Sequence, residues 1–359
     1  VLTILITFIC GSFTASPRAA QETVRGDWMI EYSPRSRSKS STGPRVQLTI
    51  KVGNDSSGHR FNSSFGVALA DLRGLSLSET NLDLPQARFE LQRDAGTFFF
   101  EGLFRNGKGI GEFRFEPSSD YVAGMRSLGY SDLSNKHFEL AMFDVSRNFI
   151  QELTDLGYTN QALNRLIEFR IHGVSPDYIK AMRAAGYLEL SASKLVEMRI
   201  HGVTPEYISQ MKSAGYEDLT ANKLVEMRIH GVTPDFIAAM KAAGYSDLTA
   251  NRLVEMRIHG VSADFVNKLR ELGYDNLSAN RLVEMRIHGV TPAFINEMKQ
   301  AGYDRLPLDK LVEFRIHGVS AKFIKDLKDA GYTDLSPDEL VEIRIHGRDG
   351  FLRKPKRSQ

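Results

Sequence analysis

Gly231-Val232-Thr233-Pro234-Asp235-Phe236-Ile237-Ala238-Ala239-Met240-Lys241-Ala242-Ala243-Gly244-Tyr245-Ser246-Asp247-Leu248-Thr249-Ala250-Asn251-Arg252-Leu253-Val254-Glu255-Met256-Arg257-Ile258-His259 is one copy of a repeating pattern. Thr233 reads as a helix cap, Pro234 suits the first helical position, and Asp235 favours the positive end of the helix dipole. Phe236, Ile237, Met240 and Ala243 follow at helical spacing. Gly244 ends the helix where a left-handed residue is needed, and Tyr245 comes next. Thr249 then caps a second helix carrying Leu253, Val254, Met256 and Ile258, which closes at His259 and Gly260. The unit reads as two helices of about ten residues joined by glycine-terminated turns.

The same pattern runs outward in both directions. Gly-Tyr begins at 129, 157, 186, 215, 244, 273, 302 and 331, with one interval of 28 residues and six of 29. Arg-Ile-His-Gly has its histidine at 172, 201, 230, 259, 288, 317 and 346. A fixed period of this kind marks stacked supersecondary units, here eight hairpins over residues 118–347. Helices this short are marginal alone in water, so they must stack and bury their apolar stripes, Ile258 included. The first two units are degraded: Ser118-Ser119-Asp120-Tyr121-Val122 stands where Thr-Pro-Asp-Phe-Ile recurs, and Leu140-Ala141-Met142-Phe143-Asp144 replaces the Arg-Ile-His-Gly helix. Atypical terminal units suit a cap, here one that docks the array on the last strand.

Upstream, residues 22–117 alternate with a period of two. Trp28 to Tyr32, Val46 to Val52, Phe65 to Leu69 and Phe89 to Leu91 read as strands. Thr97 to Phe104 and Gly109 to Phe115 flank Asn106-Gly107, the strongest short hairpin signal, because both turn positions need positive φ. About six antiparallel strands, as a sandwich or partly closed barrel, are expected. The stretch Ser33 to Gly43 reads as a mobile loop, and residues 348–359 as a basic disordered tail. The fold class is therefore α+β: a small antiparallel β-domain followed by an all-α solenoid.

Residues 1–21 open with an apolar, uncharged run through Phe13. It matches the core of a secretory signal better than a full membrane span, with the end of a transmembrane helix as the alternative. Either reading places the rest of the chain outside the cytoplasm, with membrane association only through residues 1–15. The 359 residues carry 42% hydrophobic and 25% charged side chains, so the chain belongs with folded proteins rather than disordered ones. A net charge of +2 gives no general attraction to nucleic acid or acidic membranes. Cys10 is the one cysteine, which excludes an internal disulfide and a thiolate metal cluster.

The repeated Glu-x-Arg-Ile-His-Gly invites a chemical role, in Glu197, Arg199 and His201; Glu226, Arg228 and His230; Glu255, Arg257 and His259; and Glu284, Arg286 and His288. Metal binding needs three or four ligands converging on one ion, whereas equivalent residues of adjacent units stand a helix spacing apart. The set reads instead as a structural ladder. Each His closes a helix, and each Arg pairs with the Glu of its own or the next unit. A pH-responsive imidazole ladder is the alternative. The Tyr after each Gly reads as the hydrophobic contact of a helix C-cap. His59 and His137 have no readable partner. No phosphate-binding loop, catalytic triad or His-Glu-x-x-His is present, and no cofactor is expected. What changes from unit to unit is the outer face of the first helix: Lys180, Ser209 and Gln210, Asn267 and Lys268, Asn296 and Glu297, Lys325 and Asp326. These positions are solvent face or a protein-recognition surface tuned unit by unit.

The His-Gly-Val-Thr-Pro junction is superficially similar to the DNA-binding repeats of TAL effectors. In that family the loop between the helices reads bases; the matching positions here include Glu217-Asp218 and Ser246-Asp247. Residues 173–346 hold 22 Lys/Arg against 24 Asp/Glu, a net of −2, and no nucleic-acid partner is expected. A closer resemblance is to the Val/Ile-His-Gly-Val-Thr-Pro-Glu-Phe/Tyr repeats that follow the membrane part of bacterial antirepressor-type (BlaR-like) membrane metallopeptidases and related envelope proteins. It covers roughly residues 90–347, including Ala95-Gly96-Thr97-Phe98-Phe99-Phe100-Glu101-Gly102. The resemblance implies an extracytoplasmic sensing or interaction module; the zinc-binding helix of that family is missing, so no peptidase activity carries over. A non-enzymatic scaffold binding a protein partner is the expectation. The alternative is a ligand-binding β-domain with the array as spacer or oligomerisation element.

Overall fold

A computed structural model describes residues 23–32, 44–53, 60–77, 82–133 and 136–352. The expected leader, the 33–43 loop, His59 and the tail residues 353–359 lie outside the described residues. The chain turns from strand to helix at 117–119 and divides into two compact units further on, Val1–Pro176 and Asp177–Gln359.

In the first unit, seven strands form one curled antiparallel sheet. They are β1 (Val24–Glu31), β2 (Arg45–Gly53), β3 (Arg60–Ala68), β4 (Leu72–Arg73), β5 (Leu84–Arg93), β6 (Gly96–Arg105) and β7 (Lys108–Pro117), in the order β3-β2-β1-β7-β6-β5-β4. The two-residue β4 is the strand beyond the six expected. Asn106 and Gly107 both take positive φ, 50° and 76°, as the hairpin reading requires.

Alternation divides the Phe98–Phe100 run. Phe98 and Phe100 are buried, and Phe99 lies on the other face with the Arg114 guanidinium 4.0 Å above its ring. Trp28 is buried edge-on against Phe89, centroids 5.0 Å apart, and its Nε1 donates to the Glu101 carbonyl. Gly102 makes room for the indole: a Cβ there would meet Trp28 at 2.7 Å and the Ile110 carbonyl at 2.1 Å.

Four helices follow in the same unit: α1 (Ser119–Ser127), α2 (His137–Met142), α3 (Arg147–Asp155) and α4 (Leu163–His172). The degraded second helix, α2, docks on β6 and β7. Phe138 stacks on Phe113 and meets Phe98 and Phe115 edge-on or tilted, all within 6.1 Å. His137, solitary in the sequence, is buried and hydrogen-bonds through Nε2 to the Ala95 carbonyl at 2.6 Å. Burial holds its pKa below the ordinary histidine value, although that hydrogen bond opposes the shift. Arg147 clamps Asp94 with both side-chain and backbone nitrogens and also meets Asp120 at 2.9 Å. Burial pushes the Asp94 carboxyl up, and the hydrogen bonds from Arg147 outweigh it, so the group sits below its usual range.

The second unit is built from six hairpins of the repeat. Its first helices are α5 (Pro176–Ala184), α7 (Pro205–Ser213), α9 (Pro234–Ala242), α11 (Ala263–Glu271), α13 (Pro292–Gln300) and α15 (Ala321–Asp329). Its second helices are α6 (Ala192–Ile200), α8 (Ala221–Ile229), α10 (Ala250–Ile258), α12 (Ala279–Ile287), α14 (Leu308–His317) and α16 (Pro337–Leu352). Thr204, Thr233 and Thr291 cap helices that begin with Pro, each accepting from the backbone N–H three residues on. Second helices pack on second helices, as α8 on α10 and α10 on α12, and first on first, as α9 on α11 and α11 on α13, so the hairpins stack as two layers.

Between the layers lie the Leu-Val-x-Met positions of the second helices and Phe/Tyr, Ile/Val and Met/Leu of the first. The Ile of Arg-Ile-His-Gly does not join them. Ile200, Ile229, Ile258, Ile287, Ile316 and Ile345 are 50–56% exposed, against the expectation that Ile258 lies on the buried stripe. The reason is angular: Leu253, Val254 and Met256 define the inward face, and Ile258 falls two residues, about 200°, beyond Met256. At the C-terminus, Gly347 breaks the helix at φ 73°, and helical backbone resumes through 348–352, where a disordered tail is expected.

Candidate interaction surfaces

Within the second unit the repeated residues expected to form a ladder do so through a different set of bonds. Each Glu pairs with the cation three residues before it: Lys194 with Glu197, Lys223 with Glu226, Arg252 with Glu255 and Arg281 with Glu284. That spacing puts both on one helix face, and it occupies the carboxylate that the sequence assigned to Arg257. The Arg reaches backward instead. Arg228, Arg257 and Arg286 lie over the rings of Tyr207, Phe236 and Phe265 at 4.8–5.1 Å, and Arg199 lies over Tyr178. The same Arg228, Arg257 and Arg286 donate through Nε to the carbonyls of His201, His230 and His259 in the preceding hairpin. Each of these His residues is a helix C-cap, so its carbonyl is one that the helix itself leaves unpaired.

The glycine after each His serves the same joint. Gly231 takes φ 69°, and a Cβ there would meet the Arg257 guanidinium at 2.9 Å. Glycine is required twice at this position, by the backbone and by the stacked arginine.

Three further bonds tie neighbouring hairpins. Lys212 and Lys241 donate to the carbonyls of Ala185 and Ala214, at the ends of the previous first helices, both at 2.8 Å. Tyr245, in the turn after Gly244, donates its hydroxyl to the Leu277 carbonyl at 2.6 Å, while its own N–H closes the helix on Met240. The expected C-cap contact is therefore also a bridge to the following unit. Tyr178 and Tyr207, in the first helices, donate to the carbonyls of Val203 and Val232. Burial pushes both phenols up to about 12, which keeps them protonated as donors at neutral pH. The cations of one hairpin thus satisfy carbonyls at the helix C-termini of another, where the dipole favours positive charge, while the phenols bond the carbonyls just before the caps Thr204, Thr233 and Ser278.

These assignments leave two surfaces of the array open. On the first helices, Lys180, Ser209, Gln210, Asn267, Lys268, Asn296, Glu297, Lys325 and Asp326 are all exposed. Lys268 pairs with Asp264 and Lys325 with Asp329 along their own helices. On the second helices, the exposed isoleucines form a row with one residue per hairpin.

The first unit presents a separate surface on the outer side of its sheet. Asp27, Glu112 and Glu101 stand directly opposite one another on β1, β7 and β6, and Met29, Ile110 and Leu103 form the adjacent row. Met29 and Ile110 are about half exposed, and the six residues line a depression of about 670 Å³. Nothing in the strand pattern alone marks this row, because register across three strands sets it. Among the described residues no three His, Cys, Asp or Glu side chains converge as metal ligands, and no helix is long and apolar enough to cross a membrane. Comparison with protein-family models and with curated proteins gives no match for this chain.

Proposed function

We propose that this protein is a non-enzymatic interaction module whose hairpin array binds a protein partner through the outer face of its first helices. One observation carries the reading: an exposed residue pair changes from hairpin to hairpin, as in Ser209-Gln210, Asn267-Lys268, Asn296-Glu297 and Lys325-Asp326, on a frame whose stacking, capping and bridging contacts repeat. Frames of this kind hold their backbone constant while side chains on one face change, which suits recognition of an extended surface. The near-balanced charge of the array favours mixed polar contacts over steering by net charge. The apolar opening run reads as an export signal, and so the partner is sought outside the cytoplasm.

The test is a crosslinking pull-down from bacterial envelope extract with the full chain and a charge-reversed variant: Lys180→Glu, Lys268→Glu, Glu297→Lys, Lys325→Glu and Asp326→Lys. A protein captured by the native chain and lost from the folded variant supports the reading. Capture indifferent to the five substitutions removes it.

A second reading, ligand binding by the sheet, is favoured by the depression beside the Asp27–Glu112–Glu101 row. Lys51 stands opposite Asp27 and Arg88 lies 3.8 Å from Glu101, and between them Glu112 faces an acidic neighbour on either strand, where like charges directly opposite are unfavourable. A ligand with a cationic group and an apolar body would neutralise Glu112 at the centre of the row and cover Met29, Leu103 and Ile110. Titration with a long-chain alkylammonium probe below its micelle concentration, against a Glu112→Gln, Ile110→Asp variant, tests it. Equal heats from both proteins would end this alternative.

A further inference from the structure

We infer that the isoleucine row of the second helices is a self-association surface, whose occupant is the same row of a second copy of this chain. In the second unit the row consists of Ile200, Ile229, Ile258, Ile287, Ile316 and Ile345, each half exposed, and Ile171 of the first unit is exposed alike. Single exposed apolar residues need no explanation, whereas a regular line of them does.

The array supplies its own comparison between constrained and free positions. At the buried Met of the second helices, Met198, Met227, Met256 and Met285 give way to Phe314 and Ile343. At the exposed position seven residues before the isoleucine, on the same helix face, the residue is Ser193, Asn222, Asn251, Asn280, Asp309 or Asp338. Core and solvent positions both vary, yet the exposed isoleucine is the same in every one of these hairpins. The invariant Arg and Gly beside it are accounted for by contacts inside the chain; the outward half of the isoleucine is not.

Three features select a second copy as the occupant. A row with one apolar residue per hairpin needs a ligand of matching period, and another copy has that period by construction. In five of the six hairpins the flanking carboxylate is already neutralised by the cation three residues earlier, as in Arg252–Glu255 and Lys310–Glu313, so two such faces do not repel. Six half-exposed isoleucines offer on the order of 500 Å² per copy, so two faces with their flanking residues reach the ~1,000 Å² of a specific interface. An antiparallel two-fold arrangement pairs all six isoleucines of the second unit, placing Ile258 against Ile287 of the second copy and Ile229 against its Ile316. A parallel staggered arrangement would leave unpaired isoleucines at both ends and continue into a fibre.

The experiment is sedimentation velocity of the full chain from 1 to 100 µM, beside a triple variant Ile229→Lys, Ile258→Lys, Ile287→Lys. Lysine in the last helical turn suits the helix dipole, so the variant keeps its helical circular dichroism and melting temperature. We expect a dimer for the native chain and a dissociation constant at least tenfold weaker for the variant. Oxidation of an Ile258→Cys, Ile287→Cys chain in a Cys10→Ser background should yield covalent dimers, and a Lys268→Cys chain should not. A native chain that stays monomeric at 100 µM, or a dimer unchanged by the triple variant, overturns the inference. Assemblies larger than a dimer overturn the two-fold pairing. Because the substitutions avoid the first-helix face, this outcome is separable from that of the partner pull-down.

Discussion

The two units of this protein hold themselves together over different distances along the chain. In the first, Trp28, Phe89, Phe98, Phe100, Phe113 and Phe138 come from five separate elements to build one aromatic core, each ring in a different environment. In the second, the same bonds recur with offsets of 25, 27 and 32 residues, from Tyr hydroxyl, Arg or Lys, and turn Tyr respectively. Damage to the first should therefore spread through the unit, and damage to the second should stay close to one joint. Trp28 is the sole tryptophan, so its fluorescence follows the first unit alone, while the circular dichroism of helices is dominated by the array.

The largest effect is expected at Phe138. Phe138→Ala removes a ring shared by α2, β6 and β7 and should cost about 3–5 kcal/mol in the urea transition read by Trp28 fluorescence. If that transition does not move, α2 is not part of the core of the first unit. A smaller change is expected in the array from Arg257→Met, which keeps the stem and removes both the stack on Phe236 and the bond to the His230 carbonyl. The loss should be about 1–2 kcal/mol by circular dichroism, with the Trp28 transition in place. A matching shift at Trp28 would show that the joints are not local. Tyr245→Phe deletes one hydroxyl and should cost about 1 kcal/mol in the same measurement.

Acid sharpens the contrast. Burial holds His137 below its ordinary pKa of 6.5, so the fold favours the neutral ring. Its contribution is complete above pH 6.5 and is lost as the pH falls through 6.5 towards the folded-state value. Asp94 is held below its ordinary 3.8, so its contribution is lost only below that pH. A melting temperature read by Trp28 should fall between pH 7 and 5, and His137→Gln should remove that dependence. The smallest effect is expected at Lys325→Glu, within about 0.5 kcal/mol, because the residue is exposed and pairs only along its own helix.

Legibility followed the same division. The caps Thr204, Thr233 and Thr291, the left-handed glycines and the two-helix period could be read because helix ends are local events. The hairpin at Asn106-Gly107 was legible for the same reason. The partner of Arg257 was not: a salt bridge within one helix looked available, but Arg252 takes Glu255 and frees Arg257 for the preceding hairpin. Nor was the exposure of the isoleucines, since an apolar residue near a helix end could face in or out until the neighbouring layers are placed.

The sequence alone was enough to determine the class of the main elements, though not the two-residue β4, and the number of hairpins, their period and their turns, since these depend on residues within a few positions of one another. Tertiary structure alone decided that the sheet curls as one seven-stranded layer, that Asp27, Glu112 and Glu101 share a row, and that His137 is buried against Ala95. It also decided which arginine meets which carbonyl and which isoleucines face solvent. Except for Glu101 and Glu112, which one hairpin brings together, these pairings join residues 27 to 85 positions apart, and at that range register and packing select the partner while local propensity is silent.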